Sequence, residues 1–199
     1  VFTADKVLVT VPITILQSDF IQFTPSLPTT KLAAIEEENM PDGLKVFVEF
    51  SERFYPDMVA KDNLLASARD GDFAYYDAAF GKDSTRNVFA LFAVGEQAKP
   101  YTDLGSDAAI VERVMAELDE MFDGKASEHY VQHVVQNWSA EPYIRGSYSH
   151  GWSTPSTLAE SVSNRLYFAG EATAPNGNTS TVHGAAESAF EAVREMLEG

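Results

Sequence analysis

Cysteine is absent from the 199 residues, which excludes disulfide bonds, thiolate catalysis and zinc sites built from cysteine. No apolar run approaches the roughly 20 residues that a membrane-spanning helix requires. The motif Gly-x-Gly-x-x-Gly, which cradles a dinucleotide pyrophosphate at the start of a helix, also does not occur. The chain therefore lacks three of the most easily recognised signatures of a binding or catalytic site.

Basic residues are scarce as well. Asp and Glu number 30 against 14 Lys and Arg, which gives a formal net charge of −16. Such a chain repels nucleic acid and anionic membrane surfaces, whereas a basic small molecule such as an amine is attracted. The alternative interpretation is a charged surface that only maintains solubility. We expect no nucleic-acid partner.

Residues 1–6 lack an initiator Met and the layout of a signal peptide, and a strand follows almost at once. This start predicts a chain cut from a longer protein, and it assigns no compartment. The hydrophobic fraction of 45%, with 13 Phe, 8 Tyr and 2 Trp, is sufficient for a folded core.

Hydrophobic periodicity predicts strands and helices in both halves of the chain. A short β-branched run at 6–12 predicts a buried parallel strand, and residues 44–50 alternate as a strand with one apolar face. A helix is predicted over 107–122, with Asp107 as N-cap and Gly124 as the stop. Further predicted elements are a hairpin of strands at 73–80 and 87–94, strands at 130–138 and 165–170, and helices at 154–161 and 182–197. The last helix is predicted to have one apolar face, formed by Val182, Ala186, Ala189, Phe190, Val193 and Leu197.

The last predicted strand, loop and helix form a candidate ligand site. The strand ends at Gly170, where a ligand can approach the backbone closely. The following helix presents free N–H groups and a partial positive charge to the same space. These features favour an anion or a polar ring at the carboxyl end of the strand, although the same arrangement is common in proteins without a ligand there.

The residues of this unit are more specific than its layout. Phe168-Ala-Gly-Glu-Ala-Thr173, followed by Thr181-Val-His-Gly-Ala185, resembles the C-terminal flavin-binding signature of flavin-containing amine oxidases. This family includes monoamine and polyamine oxidases and flavin-dependent histone-lysine demethylases. Further similar segments occur in the family's order, namely Val7-Leu-Val-Thr-Val-Pro12, Phe23-Thr-Pro-Ser-Leu-Pro28, Lys45-Val-Phe-Val-Glu-Phe50, Trp138-Ser-Ala-Glu-Pro142 and Arg145-Gly-Ser-Tyr-Ser149.

The resemblance implies an α/β fold with an α+β substrate domain. It is a partial two-domain, FAD-linked amine oxidase fold that lacks the N-terminal Rossmann βαβ unit. Residues 1–14 would supply a strand of the FAD-binding domain, residues 15–136 part of the substrate-binding domain with a mixed sheet plus helices, and residues 137–199 the C-terminal part of the FAD-binding domain. Because central strands would be missing, we expect the exposed sheet edges to be covered by a homo-oligomer or by a missing N-terminal portion.

The resemblance also implies roles for individual residues. Trp138, Gly170, Glu171, Thr181 and Val182 would contact FAD, with Trp138 beside the ring and Glu171 near the pyrophosphate and ribose. The catalytic candidates are Lys45, which would hold a water against flavin N5, and Tyr148, which would form one wall of the amine site. Thr181 would stand opposite Tyr148, at a place where some members carry an aromatic residue. FAD would be noncovalent, since the anchoring cysteine has no counterpart.

Each assignment has a structural alternative. Lys45 on an alternating strand is usually solvated, Trp138 would be core by default, and Tyr148 could cap a turn. Glu171 could bond only the N-terminus of the next helix. The histidines at 129, 133 and 150 share no metal-ligand spacing, so no metal site is predicted.

The implied reaction is FAD-dependent oxidation of a small-molecule amine to an imine, with oxygen reduced to hydrogen peroxide. Without the Gly-rich fingerprint, the adenosine half of the FAD site is missing, so this chain is expected to bind free FAD weakly or not at all and to be incomplete for catalysis. The alternatives are an inactive fragment or interaction module of the same fold, and another flavoprotein of the superfamily, such as a desaturase or protoporphyrinogen oxidase. The amine stays open among polyamine, aromatic monoamine, amino acid and methyl-lysine.

Overall fold

The computed structural model describes residues 1–60, 72–150 and 154–199. The chain divides into two compact units. Unit 1 combines Val1–Pro41 with Tyr143–Gly199, and unit 2 is Asp42–Pro142. Each unit has its own hydrophobic core.

Unit 1 is built on a pair of parallel strands, β1 (Val7–Val9) and β7 (Leu166–Phe168). The pairing confirms the predicted parallel strand near the start of the chain, although Val7 is half exposed rather than buried. Its helices are α1 (Ile13–Leu16), α2 (Thr29–Glu37), α6 (Pro155–Ala159) and α7 (Val182–Glu198), and a single 3₁₀ turn spans Glu171–Thr173.

The register of the parallel pair brings both carboxyl ends to one edge. Val7 is paired with Leu166 and Val9 with Phe168, and the Ala169 N–H continues the ladder by donating to Val9 O at 3.0 Å. The segments that follow β1 and β7 therefore begin side by side.

Unit 2 is a five-stranded sheet in the order β3-β4-β5-β2-β6, with helices on one face. Its strands are β2 (Gly43–Phe50), β3 (Met58–Ala60), β4 (Phe73–Asp77), β5 (Asn87–Val94) and β6 (Tyr130–Asn137). Its helices are α3 (Lys99–Thr102), α4 (Asp107–Met121) and α5 (Lys125–His129), with 3₁₀ turns at Gly95–Gln97 and Trp138–Ala140.

The predicted amphipathic elements of unit 2 are confirmed. On β2, Val46 and Val48 are fully buried while their neighbours are only half buried, as the period of a one-sided strand requires. They pack in one cluster with Val114 and Leu118 of α4. The N-cap of α4 is Ser106 rather than the predicted Asp107, since the Ser106 hydroxyl accepts the Ala109 N–H.

Two expected features of the middle of the chain differ. The sheet was expected to be mixed, but every strand pairing among the described residues of unit 2 is antiparallel. Short connections such as the turn between β4 and β5 can join only antiparallel neighbours, because a parallel crossover needs a dozen or more residues. Residues 15–41, expected in the substrate domain, lie in unit 1, because Leu27 and Ile35 pack against Phe168 of β7.

The apolar stripe of α7 is a further difference. Val182, Phe190 and Leu197 are between 79% and 91% exposed. The buried residues of the helix are instead Gly184, Ser188 and Ala192. The helix therefore turns its small residues inward and its large apolar residues outward.

In the described ranges, no helix is both long and apolar enough to cross a membrane. No cluster of three or more His, Asp or Glu side chains suited to a metal ion occurs in the same ranges.

Candidate cofactor and substrate site

A cavity of about 320 Å³ lies in unit 1 at the carboxyl ends of β1 and β7. It is lined by residues that follow both strands, among them Thr10, Val11, Gly170, Glu171 and Ala172. The parallel register causes this arrangement, because both chains leave the sheet at the same edge. Ligands of α/β sheets bind in this kind of crevice.

Gly170 is the first residue past the end of the β7 ladder. Its φ of 149° lies in a region that favours glycine, and a Cβ built on it would meet nothing within 4 Å. The backbone here is therefore open to a close approach from the cavity.

The turn after Gly170 leaves donors unused. The Thr173 and Ala174 N–H groups close the turn onto Gly170 O and Glu171 O. The Glu171 and Ala172 N–H groups have no acceptor among the described residues, and both residues line the cavity. Unpaired N–H groups of this kind attract an anion such as a phosphate.

The Glu171 side chain is already hydrogen-bonded inside the protein. Oε1 accepts the Ser149 N–H at 2.8 Å, and Oε2 accepts the Ser149 hydroxyl at 2.6 Å and the Ser180 N–H at 2.6 Å. The bond to Ser180 lies next to the start of α7, which agrees with the structural alternative for Glu171. The backbone N–H of Glu171, which has no acceptor within the described ranges, is the group of this residue that can donate to a cofactor.

Helix α7 begins at a hydroxyl cap. Thr181 Oγ1 accepts the Gly184 N–H at 3.0 Å and donates to Asn178 O at 2.6 Å. The Val182 and His183 N–H groups have no acceptor in the described ranges, as expected for the first turn of a helix. The resemblance implies that Thr181 and Val182 contact FAD, so the Val182 N–H is one of the groups expected there.

Small residues bring α7 close to the turn after β7. A Cβ on Gly184 would lie 1.9 Å from Asn178 O and 2.9 Å from the Ala174 Cβ. The Ser188 hydroxyl accepts the Gly170 N–H at 3.0 Å and lies 2.8 Å from Gly170 O. A larger residue at either place would separate the helix from the cavity edge.

Tyr148 lies half buried in a loop of unit 1 that is held on both sides. The Ser147 N–H donates to Pro41 O at 2.8 Å and the His150 N–H to Asn39 O at 2.7 Å. Between them, Ser149 is bonded to Glu171 and is only 2% exposed.

Lys31 is the buried cation of unit 1. Its Nζ donates to Leu158 O at 2.7 Å and Thr157 O at 3.1 Å, and lies 4.0 Å from the ring centroid of Phe168. Burial lowers the pKa of Lys31 to about 8, opposed by the carboxylates of Glu160 and Glu195. Its contacts join α2 to α6 and β7, behind the cavity.

Lys45 and Trp138 lie close together in unit 2. Lys45 is paired with Gln136 of β6, two residues before Trp138, and the Gly43 N–H donates to the Ser139 hydroxyl at 3.0 Å. Lys45 is half buried on the sheet face away from α4, with Nζ 5.5 Å from the Phe92 ring centroid. Trp138 is 36% exposed and begins a 3₁₀ turn.

The predicted site residues thus form two groups. Five of them lie in unit 1, namely Tyr148, Gly170, Glu171, Thr181 and Val182. The Glu171 carboxylate connects their segments, because it accepts hydrogen bonds from Ser149, next to Tyr148, and from Ser180, next to Thr181. Lys45 and Trp138 are in unit 2.

The sequence interpretation missed three serines, at 149, 180 and 188. Each makes its decisive contact with a residue at least nine positions away. One signal was available for Ser188, which lies four residues after Gly184 on the small-residue side of α7.

Comparison with known proteins identifies the family. A family model described as flavin containing amine oxidoreductase matches residues 1–197. The chain belongs to this family. It is therefore a member of a group of flavoprotein oxidoreductases.

Relatives and solved structures agree. The chain is 29% identical to polyamine oxidase 1 of Zea mays over 99% of this chain and 40% of that protein. It is 33% identical to lysine-specific histone demethylase 1 homolog 2 of Arabidopsis thaliana over 99% of this chain and 27% of that protein. A structure of a putrescine oxidase variant superposes with a TM-score of 0.75 at 18% identity, covering 98% of this chain and 43% of the other. The chain thus shares its fold with an amine oxidase and spans well under half the length of these relatives.

Proposed function

We propose that the full-length protein is an FAD-dependent oxidase that converts a small-molecule amine to an imine, with noncovalent FAD held in part by unit 1 of this chain. The observation that carries the proposal is the cavity at the ends of β1 and β7, rimmed by the Glu171 and Ala172 N–H groups, which have no acceptor in the described part of the chain, in a chain of a flavin-containing family. When bound there, FAD would supply the redox chemistry, because it can take up a hydride from the amine while the nitrogen releases a proton, so that two electrons and two protons in all reach oxygen and give hydrogen peroxide.

Unit 1 offers two kinds of contact to such a cofactor. The N–H groups at Glu171 and Ala172 suit the negative oxygens of a pyrophosphate. The first turn of α7, with the free N–H groups of Val182 and His183, suits a carbonyl or anionic edge of the flavin ring, because the helix dipole stabilises negative charge there. Gly170 lets the cofactor lie against the backbone.

The amine would be recognised by charge and by aromatic contact. The net charge of −16 attracts cations to the protein surface. In the site, Tyr148 would form one wall, with Thr181 opposite. A less polar wall lowers the pKa of the amine and so favours the neutral form, which can lose hydride. Lys45 would hold a water near the flavin, with Trp138 beside the ring, by resemblance to the family.

The relatives favour a polyamine over other amines. Several relatives are called polyamine oxidases, and the solved structures of the same fold include putrescine oxidases, one of them bound to putrescine. The strongly acidic composition suits a substrate with several positive charges. We therefore propose a di- or polyamine as the substrate class.

The test is an assay of the protein saturated with FAD. Peroxide release is measured with putrescine, spermidine, spermine, an aromatic monoamine and an amino acid at equal concentrations. The proposal predicts peroxide with one or more of the aliphatic polyamines and the least with the amino acid. A protein that binds FAD but releases no peroxide with any amine would contradict the proposed reaction.

An inactive module of the same fold is the second candidate. Among the described residues, neither outer edge of the β1–β7 pair is paired with another strand, and the large apolar residues of α7 are exposed. A colourless protein whose spectrum is unchanged by added FAD would favour this candidate. An active desaturase-like flavoprotein would instead bind FAD and oxidise no amine.

A further inference from the structure

Three segments of unit 1 meet at the Glu171 carboxylate. Both of its oxygens accept bonds from Ser149, one from the N–H at 2.8 Å and one from the hydroxyl at 2.6 Å. Oε2 also accepts the Ser180 N–H at 2.6 Å, and the Ser180 hydroxyl donates to Ser149 O at 2.5 Å. We call Ser149, Glu171 and Ser180 the Glu171 clamp.

One arm of the clamp fixes the loop that carries Tyr148. On the far side of this loop, Ser147 and His150 donate to Pro41 O and Asn39 O. Gly146 is pressed against the same strip, where a Cβ would lie 2.9 Å from Met40 O. Glu171 adds two hydrogen bonds to this loop on the side of Ser149.

The other arm fixes Ser180, the residue before the N-cap of α7. Ser180 has a φ of 64°, a conformation that a non-glycine residue keeps only when its surroundings impose it. The Glu171 carboxylate and Ser149 O supply that constraint through the Ser180 N–H and hydroxyl. The direction of the first turn of α7, with Thr181 and Val182, depends on it.

The charge of the Glu171 carboxylate and the burial of Ser149 strengthen the hydrogen bonds of the clamp. A carboxylate that accepts three hydrogen bonds from N–H and O–H groups binds them more strongly than a neutral acceptor would. Ser149 is 2% exposed, so water does not readily replace the carboxylate there. The acceptors of Glu171 are thus directed at protein donors rather than into the cavity.

We propose that Glu171 is a positioning residue, whose carboxylate acts through Ser149 and Ser180 to set Tyr148 relative to the first turn of α7. The inference rests on the proposed function, because Tyr148 is assigned to the amine and α7 to the flavin. The backbone N–H of Glu171 would then contact the cofactor, while its side chain would position the substrate wall formed by Tyr148.

The test compares Glu171→Gln with Glu187→Gln. The first variant keeps one acceptor oxygen and replaces the other by an NH₂ group, which cannot accept from Ser180. Glu187 accepts the Asn178 side-chain amide at 2.8 Å, so the control changes another carboxylate bonded to the same loop without touching the clamp. Amide hydrogen exchange is followed by NMR without added flavin, and amine KM, kcat and FAD affinity are then measured on the FAD-loaded protein.

In Glu171→Gln, exchange of the Ser149 and Ser180 amides should accelerate by about tenfold or more, the effect of losing one strong hydrogen bond, while the Ser147 and His150 amides keep their rates. The amine KM should rise by about fivefold or more and FAD affinity should change by less than about threefold, since the backbone N–H is retained. Glu187→Gln should change none of these. Ser149→Ala, which removes only the hydroxyl arm, should fall between the two.

Unchanged exchange at Ser149 and Ser180 would overturn the proposal, as would a loss of FAD affinity with an unchanged amine KM. The latter result would mean that the carboxylate contacts the cofactor directly. If the wild-type protein oxidises no amine, the proposed function fails by that observation alone. The positioning role of Glu171 is then tested by the amide exchange rates and by the NMR line widths of the Tyr148 ring. These line widths should report increased ring mobility in Glu171→Gln and not in Glu187→Gln.

Discussion

Gly184 lies where α7 comes closest to the turn after β7. A Cβ at this position would be 1.9 Å from the backbone oxygen of Asn178, and a backbone atom cannot move aside as a flexible side chain can. The glycine in Thr181-Val-His-Gly-Ala185 is therefore explained by packing, not by backbone conformation, because it sits inside a regular helix.

Gly184→Ala should lower the free energy of unfolding of unit 1 by more than about 2 kcal/mol, at the upper end of overpacking costs. The measurement is urea denaturation followed by circular dichroism. Ala186→Ser, two residues along on the exposed side of α7, is the control and should change stability by less than about 0.5 kcal/mol. Equal stability of Gly184→Ala and the wild type would mean that α7 does not lie this close to Asn178.

Lys31 gives unit 1 a pH-dependent stability. Its pKa is lowered from 10.5 to about 8 by burial, so the folded protein releases the proton before the unfolded chain does. Stability from this group is therefore fully present above about pH 10.5 and is lost as the pH falls through about 8. The largest difference that the pKa shift allows is about 3 kcal/mol.

Between about pH 7.5 and about pH 10, wild type should gain stability relative to Lys31→Met, within the bound just given. The quantity compared is the difference in unfolding free energy between wild type and Lys31→Met at each pH. This difference is needed because burial raises the pKa of Tyr75 and Tyr101 in unit 2, which makes the stability of both proteins fall with pH at high pH. Lys125→Met, at an exposed lysine of α5, should give a pH-independent difference. A pH-independent difference for Lys31→Met as well would show that Lys31 is not buried as a cation.

Lys45 has no ion-pair partner among the described residues, and its Nζ lies on the open face of the unit 2 sheet. If it orders a water for flavin reoxidation, Lys45→Met should slow the reaction of the reduced protein with oxygen by about tenfold or more. Reduction by the amine should change little. Stopped-flow absorbance separates the two half-reactions, and Lys82→Met, in the exposed turn between β4 and β5, should affect neither. Equal slowing of both half-reactions would point to a structural role for Lys45.

At the scale of elements, α7 differs most from what its sequence indicates. The predicted apolar face carries Val182, Phe190 and Leu197, all strongly exposed, while Gly184, Ser188 and Ala192 are buried against the end of β7. Close approach of the backbone, not side-chain size, decides which side of this helix is inside.

The double substitution Phe190→Ser and Leu197→Ser should therefore change the unfolding free energy by less than about 1 kcal/mol, as exposed positions do. Leu118→Ala in α4, where the side chain is 1% exposed, should cost about 2–5 kcal/mol. Chemical denaturation at two protein concentrations measures both. A large, concentration-dependent loss in the double variant would mean that this face is covered in solution.

Periodicity predicted the elements whose burial is decided locally. The alternation of β2, the stripe of α4 and the β4–β5 hairpin all appear in the sequence, because each depends on side chains spaced by the period of its own element. The orientation of α7 and the Glu171 clamp could not be predicted in this way. They depend on Asn178 O, Gly170 and Ser149, which reach these residues only through the fold.

The roles of the candidate site residues stay predictions. Family resemblance named Glu171, Thr181 and Tyr148, and the structure connects their segments through two serines. The resemblance attached a cofactor contact to Glu171 without distinguishing carboxylate from backbone. Only hydrogen-bond geometry separates the two, since the carboxylate is bonded to Ser149 and Ser180, while the Glu171 N–H has no acceptor among the residues that the structure describes.

At the scale of the whole molecule, the chain belongs to a flavin-containing family and spans about 40% of the length of the maize polyamine oxidase. Its two units divide the candidate residues between them, with the N–H-rimmed cavity in unit 1 and Lys45 with Trp138 in unit 2. Within these 199 residues there is no Gly-x-Gly-x-x-Gly to hold the adenosine half of FAD. The cavity is therefore expected to recognise the flavin and phosphate portion of the cofactor.

The most direct test is an equilibrium titration of the protein with FAD, FMN and riboflavin, followed by flavin fluorescence and absorbance. We expect weak but saturable binding of FAD and FMN, with affinities within about tenfold of each other, and still weaker binding of riboflavin, because phosphate is the group that the Glu171 and Ala172 N–H donors would hold. Inorganic pyrophosphate should compete with both nucleotides. Absence of saturable binding by all three, or equal binding of riboflavin and FMN, would contradict the assignment of this cavity to the cofactor.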